Sequence, residues 1–207
     1  TLANMFKVKE LRNRLLFTLA ILAIYRLGCV LTIPGIDAKA LIEYFENLLA
    51  QNKSNAFASY MDFFVGGAFS NFSVFMLGVM PYISTQIILQ LLLIVFPSLK
   101  RAVQEDGGQQ KFALWTRVGT IIVCLIQSFA VTEYAKNIGV ISLNNELAFK
   151  ALAILTVTTG SMITVWLGDQ ITARGIGNGI SIMIFAGIVA RIPDAISQLV
   201  QGVQNGT

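Results

Sequence analysis

The stretch that decides the fold is FSVFMLGVMPYISTQIILQLLLIVF, residues 72–96, which contains no charged side chain. An α-helix needs about 17–25 residues to cross the roughly 30 Å of hydrocarbon in a bilayer, so this stretch is long enough to span a membrane. The whole chain of 207 residues has the same character, with 55% hydrophobic and 13% charged residues. Soluble domains carry roughly 25% charged residues. We therefore predict an all-α membrane protein that crosses the bilayer several times.

Four further apolar stretches accompany this one, and we number the predicted spans 1 to 5 in chain order. Their predicted bounds are about 15–33, 72–96, 112–132, 150–168 and 175–192. Span 1 contains the charged residue Arg26, and span 3 gains length if Arg117 extends toward the membrane surface. Pro81 lies inside span 2 and predicts a kink, because proline removes a backbone donor and clashes with the preceding turn.

The lysine and arginine counts of the connecting segments predict the topology. They alternate along the chain: four before span 1, then two, four and two before spans 2, 3 and 4. The positive-inside rule then puts the N-terminus in the cytoplasm and the segment after Arg191 outside. An odd number of spans would make a second copy of this unit insert upside down, as in inverted-repeat transport proteins. Since the chain starts at Thr1 and stops in a polar stretch, we expect it to be the first half of something larger.

Several kinds of chemistry are excluded or disfavoured by the composition. The chain has no histidine, which removes Ser-His and Cys-His catalytic pairs and histidine-ligated metals. Cys29 and Cys124 lie in apolar runs, so we interpret them as small buried fillers. Residues 174–179 (RGIGNG) lack the spacing, the preceding strand and the acidic partner of a nucleotide-binding loop. Their glycines predict close helix packing and a sharp turn instead, and we expect no enzyme, cofactor or metal site.

Residues 60–70 (YMDFFVGGAFS) form an apolar, aromatic segment that is too short to cross a membrane. They lead through Gly66 and Gly67 into span 2. One interpretation is a helix that lies at the membrane interface. The other is a half-helix that re-enters a cavity and can move because glycines hold it.

Aliphatic side chains recur every four residues on one face of span 2 and of span 5. Such rows usually indicate helix packing or lipid contact. Span 2 also carries hydroxyl and amide side chains, which normally face protein or water rather than lipid. The aliphatic rows are Val79, Ile83 and Ile87 in span 2 and Ile180, Ile184 and Ile188 in span 5, and the polar residues are Ser84, Thr85, Gln86 and Gln90.

Two longer stretches carry a family resemblance. Residues 66–92 read GGAFSNFSVFMLGVMPYISTQIILQLL, and residues 166–184 read WLGDQITARGIGNGISIMI. Together with IPGID at residues 33–37, they closely resemble the signature regions of the SecY family, the central subunit of the bacterial protein-conducting channel. The resemblance covers nearly the whole chain, with Thr85 standing where alanine or serine is expected. SecY proteins have ten membrane helices in two inverted halves, and this chain resembles the first.

The resemblance implies five transmembrane helices plus a short re-entrant plug helix, one half of an inverted-repeat ten-helix channel. The plug seals the channel from outside, an aliphatic pore ring forms its constriction, and spans 2 and 3 form one side of a lateral gate. The implied plug residues are Tyr60, Met61, Phe63, Phe64, Val65, Gly66, Gly67, Ala68 and Phe69. The implied pore-ring residues are Val79, Ile83, Ile180 and Ile184, and the gate residues are Ile87, Gln90, Leu91 and Gln127.

The implied function is to pass secretory proteins across the bacterial plasma membrane and membrane proteins laterally into it. The implied partners are SecE, a SecG-like subunit, SecA or the ribosome, a translocating polypeptide with its signal sequence and membrane lipid, with no nucleic acid directly. Half of a secondary transporter for a small solute is the alternative, although no span contains the intramembrane carboxylate such sites usually use. An intramembrane protease would need paired aspartates or a Ser-His dyad, and neither is available in this chain. Arg26 stays open between a functional role and snorkelling.

Overall fold

A computed structural model describes residues 8–37, 39–41, 43–44, 66–105, 107–142 and 145–204. These ranges confirm the predicted all-α architecture, since they contain helices and two isolated bridges but no strand. The helices with both ends described are α1 (Lys9–Gly28), α2 (Met80–Val95), α3 (Pro97–Gln104), α4 (Gly108–Asn137), α5 (Glu146–Arg174) and α6 (Gly179–Gln204). Residues 39–41 and 43–44 are helical as well.

Two of these helices, α4 with 30 residues and α5 with 29, are long and apolar enough to cross a membrane. The pair α2 and α3 would pass the same test jointly, but it bends by 108° between its members. The apolar part of α6, Gly179–Pro193, is shorter. By length and composition, the described part of the chain thus has two such helices, or three if the bent pair is one span. The count of five stays a prediction.

Span 1 and α1 differ at both ends. The helix starts at Lys9 and ends at Gly28, whereas the apolar pattern extends to residue 33. The chain leaves the helix because its next backbone groups pair elsewhere: the Val74 N–H donates to Leu31 O at 2.8 Å, and the Ile33 N–H donates to Phe72 O at 2.9 Å. Hydrophobicity carries no information about this backbone pairing, so the apolar pattern places the end of the helix too late.

The predicted kink at Pro81 is wrong. Residues 72–79 are turns apart from the isolated bridge at Ser73, and α2 begins only after them. Phe72 has φ 42° and Gly78 has φ 52°, and both values lie outside the right-handed helical region. Pro81 therefore occupies the first turn of α2, where its missing N–H has no helical partner to lose. The sharp bend occurs at Pro97 instead, because the residue before a proline is driven to an extended conformation.

Two buried hydrophobic clusters meet at residues 66–79, which we call the wedge segment. One cluster joins the wedge segment to α4, α5 and the chain after α1, and the other joins it to α1, α5 and α6. The first contains Ile33, Leu41, Phe69, Phe72, Met76, Leu77, Ala135, Val140, Phe149, Ala153 and Val157. The second contains Ile21, Tyr25, Cys29, Ala68, Phe75, Leu167, Ile171 and Met183.

Small residues occupy the tightest contacts, as the sequence predicts. Both Cys29 and Cys124 are free and buried, which confirms their interpretation as fillers. A Cβ atom at Gly179 would lie 2.0 Å from the carbonyl oxygen of Gly168, so α6 begins in direct backbone contact with α5. Gly177 has φ 66°, as a sharp turn requires. The prediction of close packing around the RGIGNG stretch is confirmed.

Gly160 of α5 offers a test of how the wedge segment is seated. A Cβ atom at this position would lie 2.0 Å from the carbonyl oxygen of Val74, which is backbone and cannot rotate away. Overpacking of this kind costs about 1–3 kcal/mol, so we expect Gly160→Ala to lower the Tm of the detergent-solubilised protein by several degrees. The exposed neighbour Thr159 provides the control, because Thr159→Ala on the same helix should leave the Tm nearly unchanged. Equal Tm values for the two variants would contradict this packing.

Candidate functional site

The described part of the predicted plug is the start of the wedge segment. Gly66 and Gly67 have φ values of 66° and 91°, a conformation that side chains other than glycine rarely adopt. Both glycines are buried, as are Ala68 and Phe69. These four residues therefore lie inside the bundle. The other predicted plug residues, Tyr60, Met61, Phe63, Phe64 and Val65, fall outside the described residues.

Arg26 of α1 contacts this buried start directly. Its Nη1 donates a hydrogen bond to the carbonyl oxygen of Gly66 at 2.8 Å, and the contact is partly buried. The guanidinium group of Arg26 therefore binds the backbone of the protein. Both interpretations that the sequence leaves open, a functional role and snorkelling, stay predictions.

A second arginine, Arg191 of α6, contacts the same short segment. Its Nη2 donates to Ser70 Oγ at 3.1 Å, and Ser70 Oγ donates to the Gly67 carbonyl oxygen at 3.1 Å. A Cβ atom at Gly67 would lie 3.0 Å from Arg191 Nη2, and one at Gly66 would lie 2.9 Å from the carbonyl oxygen of Gly187. The segment is thus held between α1 and α6. Sequence reasoning treated Arg191 only as a boundary of span 5, because this partner lies 121 residues away.

The four predicted pore-ring residues form two pairs, each on one helix. Val79 is buried and caps α2, and the Ile83 N–H donates to its carbonyl oxygen at 3.1 Å, so the two are one turn apart. Ile180 and Ile184 are half-buried and one turn apart on α6. A Cβ atom at Gly168 would lie 2.6 Å from Ile180 Cδ1, so Ile180 packs toward α5. The pairing within each helix is clear, and a ring built from both pairs stays a prediction.

The predicted gate residues differ in exposure. Ile87 and Leu91 of α2 are 52% and 57% exposed, and Gln90 between them is exposed as well. This face of α2 is thus without a cover among the described residues. Gln127 of α4 is half-buried, and its Oε1 has no hydrogen-bond partner in the described part of the chain.

The opposite side of α2 packs tightly on α4. A Cβ atom at Gly119 would lie 2.6 Å from Thr85 Cγ2, so a side chain at this position of α4 would collide with α2. Thr85 is 3% exposed, and its Oγ1 donates to the Pro81 carbonyl oxygen at 2.8 Å. The threonine hydroxyl is therefore satisfied within its own helix, and its methyl group fills the contact between the two helices.

Ion pairs join α4 and α5 near both of their ends, and the sequence reasoning missed them. Arg117 donates to Asp169 at 3.3 Å, so this arginine of α4 pairs with a carboxylate of α5. Near the other end, Lys150 pairs with Glu133 and Glu146, and Lys136 pairs with Glu146. Exposed pairs of this kind contribute about 0–1 kcal/mol each in water. Arg117–Asp169, Lys150–Glu133 and Lys136–Glu146 connect the two helices, whereas Lys150–Glu146 lies within α5.

The described residues contain no cluster of three or more histidine, cysteine, aspartate or glutamate side chains that could hold a metal ion. The arrangement instead offers a buried backbone segment held by two guanidinium groups, two aliphatic pairs and an uncovered helix face. These parts offer non-covalent contacts to a neighbouring chain or to lipid.

Comparison with known proteins gives a consistent result. The SecY family model matches residues 73–206. The chain is 48% identical over 203 residues to a protein translocase subunit SecY from Borreliella burgdorferi, covering 98% of this chain and 46% of that protein. It is 42% identical over 202 residues to the subunit of the same name from Escherichia coli K12, with coverages of 95% and 44%. The chain thus spans about half the length of these curated relatives.

A solved structure described as that of a protein conducting channel has the same fold. It superposes with a TM-score of 0.63 at 20% sequence identity, covering 96% of this chain and 43% of that chain. At this identity the likeness bears on the fold alone. The arrangement of helices in the present chain is therefore that of one part of the larger structure.

Gln127 Oε1, which has no hydrogen-bond partner among the described residues, generates a stability prediction. An unsatisfied buried polar group costs about 1–3 kcal/mol, so Gln127→Leu, which keeps a similar volume, should raise the Tm in detergent. The matched control is Gln90→Leu on α2, because Gln90 is exposed and its removal relieves no burial. A lower Tm for Gln127→Leu would contradict the prediction, since it would mean that the amide has a stabilising partner.

Proposed function

Because the chain belongs to the SecY family, we propose that it is the N-terminal half of a protein-conducting channel in a bacterial plasma membrane. The observation that carries this proposal is the 48% identity over 98% of the chain to a protein translocase subunit. Since the matched relatives are about twice as long, the second half of the channel would come from sequence beyond this chain. The two halves would be inverted repeats of each other.

The aliphatic pairs suit a pore that must pass every kind of side chain. A pore lined by charges or fixed hydrogen-bond partners would trap some of them, whereas Val79, Ile83, Ile180 and Ile184 offer no such partner. A narrow apolar constriction also resists ions in the resting state, because an ion would have to shed its water to enter. The proposed ring therefore combines permissiveness to polypeptides with a barrier to small ions.

The wedge segment supports the proposed plug. Its start is buried between α1 and α6, which is where a segment entering from span 1 could block a central pathway. The segment is held by turns and glycines instead of a continuous helix. Displacing it would therefore not require a long helix to unwind, which suits a seal that must open and reclose.

The exposed face of α2 supports the proposed lateral gate. Ile87 and Leu91 would face either lipid or the second half of the channel. A passing segment could then compare the pore with lipid: leucine, isoleucine, phenylalanine and valine gain about 0.3–0.6 kcal/mol each at the bilayer centre, and aspartate, lysine or arginine lose about 2.5–3.5. Apolar segments would leave sideways into the membrane, and polar ones would continue through the pore.

No covalent step is needed for this function, so we propose a channel and not an enzyme. Directional movement would come from a motor such as SecA or from a translating ribosome, and SecE and a SecG-like subunit would complete the complex. Much of the surface for these partners would belong to the second half. The lysine and arginine distribution supports five spans with a cytoplasmic N-terminus.

The topology can be tested by cysteine labelling of the full-length protein in a background without Cys29 and Cys124. Gln104 and Asn137 are both exposed and end α3 and α4, so we expect them on opposite sides of the membrane. A membrane-impermeant thiol reagent added outside spheroplasts should label Asn137→Cys and leave Gln104→Cys unlabelled until the membrane is opened. The reverse pattern would overturn the orientation.

The transport function can be tested with a photo-crosslinking residue at Ile83 or at Ile180 in the full-length protein, in membranes with its partner subunits. A secretory precursor stalled in transit should form adducts at both positions, and deleting its signal sequence should abolish them. The control position is Leu155 of α5, which is 66% exposed and should contact lipid. If precursor crosslinking at Ile83 and Ile180 were no higher than at Leu155, the result would favour a small-solute transporter instead.

A further inference from the structure

Two arginines from different helices converge on five consecutive residues at the start of the wedge segment. Arg26 donates to the Gly66 carbonyl oxygen at 2.8 Å, and Arg191 donates to Ser70 Oγ at 3.1 Å. Ser70 Oγ in turn donates to the Gly67 carbonyl oxygen. Each contact is partly buried. Guanidinium groups are costly in apolar surroundings unless they are paired, so their placement on this one segment calls for an explanation.

The fit between the segment and the two helices is closer than side chains would allow. At Gly67 a Cβ atom would lie within 3.0–3.2 Å of three atoms of the Arg191 guanidinium group. At Gly66 it would lie 2.7 Å from Arg26 Nη1 and 2.9 Å from the carbonyl oxygen of Gly187. Two adjacent glycines in left-handed conformations therefore bring the backbone of the segment into reach of both arginines. The two arginines and the two glycines therefore form one closely packed contact.

We propose that Arg26 and Arg191 are positioning residues that hold the base of the plug between α1 and α6 in the resting channel. The proposal rests on the proposed function, because it takes the wedge segment as the plug base. Opening would have to break hydrogen bonds from both guanidinium groups. Since the arginines belong to different helices, a separation of α6 from α1 would stretch at least one contact, and this would couple plug release to helix movement.

The position of the plug base can be measured without transport. Ala68 is fully buried in the cluster between α1 and α6, so a cysteine there should react with a membrane-impermeant thiol reagent only when the segment leaves its site. The full-length protein would carry Ala68→Cys with Cys29 and Cys124 replaced by alanine. The labelling rate in resting membranes is then compared with and without changes at the two arginines.

We expect Arg26→Gln and Arg191→Gln each to raise the labelling rate about tenfold, as the loss of a hydrogen bond from a charged donor predicts. Arg12→Gln is the matched control, because Arg12 lies on α1, is exposed, and loses the same charge. Its labelling rate should equal that of the parent. Both arginine variants should also translocate a precursor whose signal sequence is defective, which the parent rejects.

Ser70→Ala serves as a milder variant that tests whether the effect of Arg191→Gln comes from misfolding. Ser70→Ala removes one acceptor of Arg191 and keeps both charges, so it should raise the labelling rate less than Arg191→Gln does. An unchanged labelling rate in Arg26→Gln, Arg191→Gln and Ser70→Ala would overturn the proposal. An equal rise in the labelling rate of Arg12→Gln would overturn it too. These outcomes are separate from the crosslinking test: intact adducts at Ile83 and Ile180 with unchanged labelling would reject the arginine contacts alone. Raised labelling without adducts would reject the transport function alone.

Discussion

A peptide group without a hydrogen-bond partner is costly inside an apolar bundle, and the wedge segment places non-helical backbone there. It meets this constraint partly through its own turns and partly by pairing with the chain after α1: Val74 N–H with Leu31 O, and Phe72 O with Ile33 N–H. The end of α1 and the late start of α2 are two consequences of the same pairing. The rest of the bundle packs around the wedge segment, whose buried backbone depends on this pairing.

The same constraint explains where the small residues lie. A Cβ atom at Gly28 of α1 would lie 2.0 Å from Phe75 Cε2, and one at Gly160 of α5 would lie 2.0 Å from Val74 O. Both positions face the wedge segment, not a neighbouring helix. Glycines in membrane helices are commonly attributed to helix–helix packing. Here two of them make room for a third layer of chain between α1 and α5, while Gly168 and Gly179 serve the direct contact of α5 with α6.

The all-helical class could be predicted from the sequence because apolar run length is a local property, whereas the count of five spans stays a prediction. The helical class, the buried cysteines and the tight RGIGNG turn follow from residue type and spacing. The kink at Pro81 was predicted wrongly because its position within a helix depends on where the helix starts, and Phe72 with its positive φ gives no local warning. Arg26 could be recognised as unusual but not assigned, since Gly66 lies 40 residues away. Arg191 carried no signal at all, because its role depends on a contact between distant segments.

In the proposed channel, the energy that holds the base of the plug can be compared with the energy that an apolar signal gains in lipid. Hydrogen bonds to charged groups contribute about 1.5–3 kcal/mol each, so two of them oppose release by roughly 3–6 kcal/mol. A segment of about ten leucines or similar residues gains roughly 3–6 kcal/mol in lipid. The two quantities are comparable, so the insertion of an apolar signal would suffice to offset the release of the base, whereas a polar segment would not. Because hydrogen bonds weaken steeply with distance and angle, this threshold would be sharp, while apolar burial alone would yield gradually with exposed area.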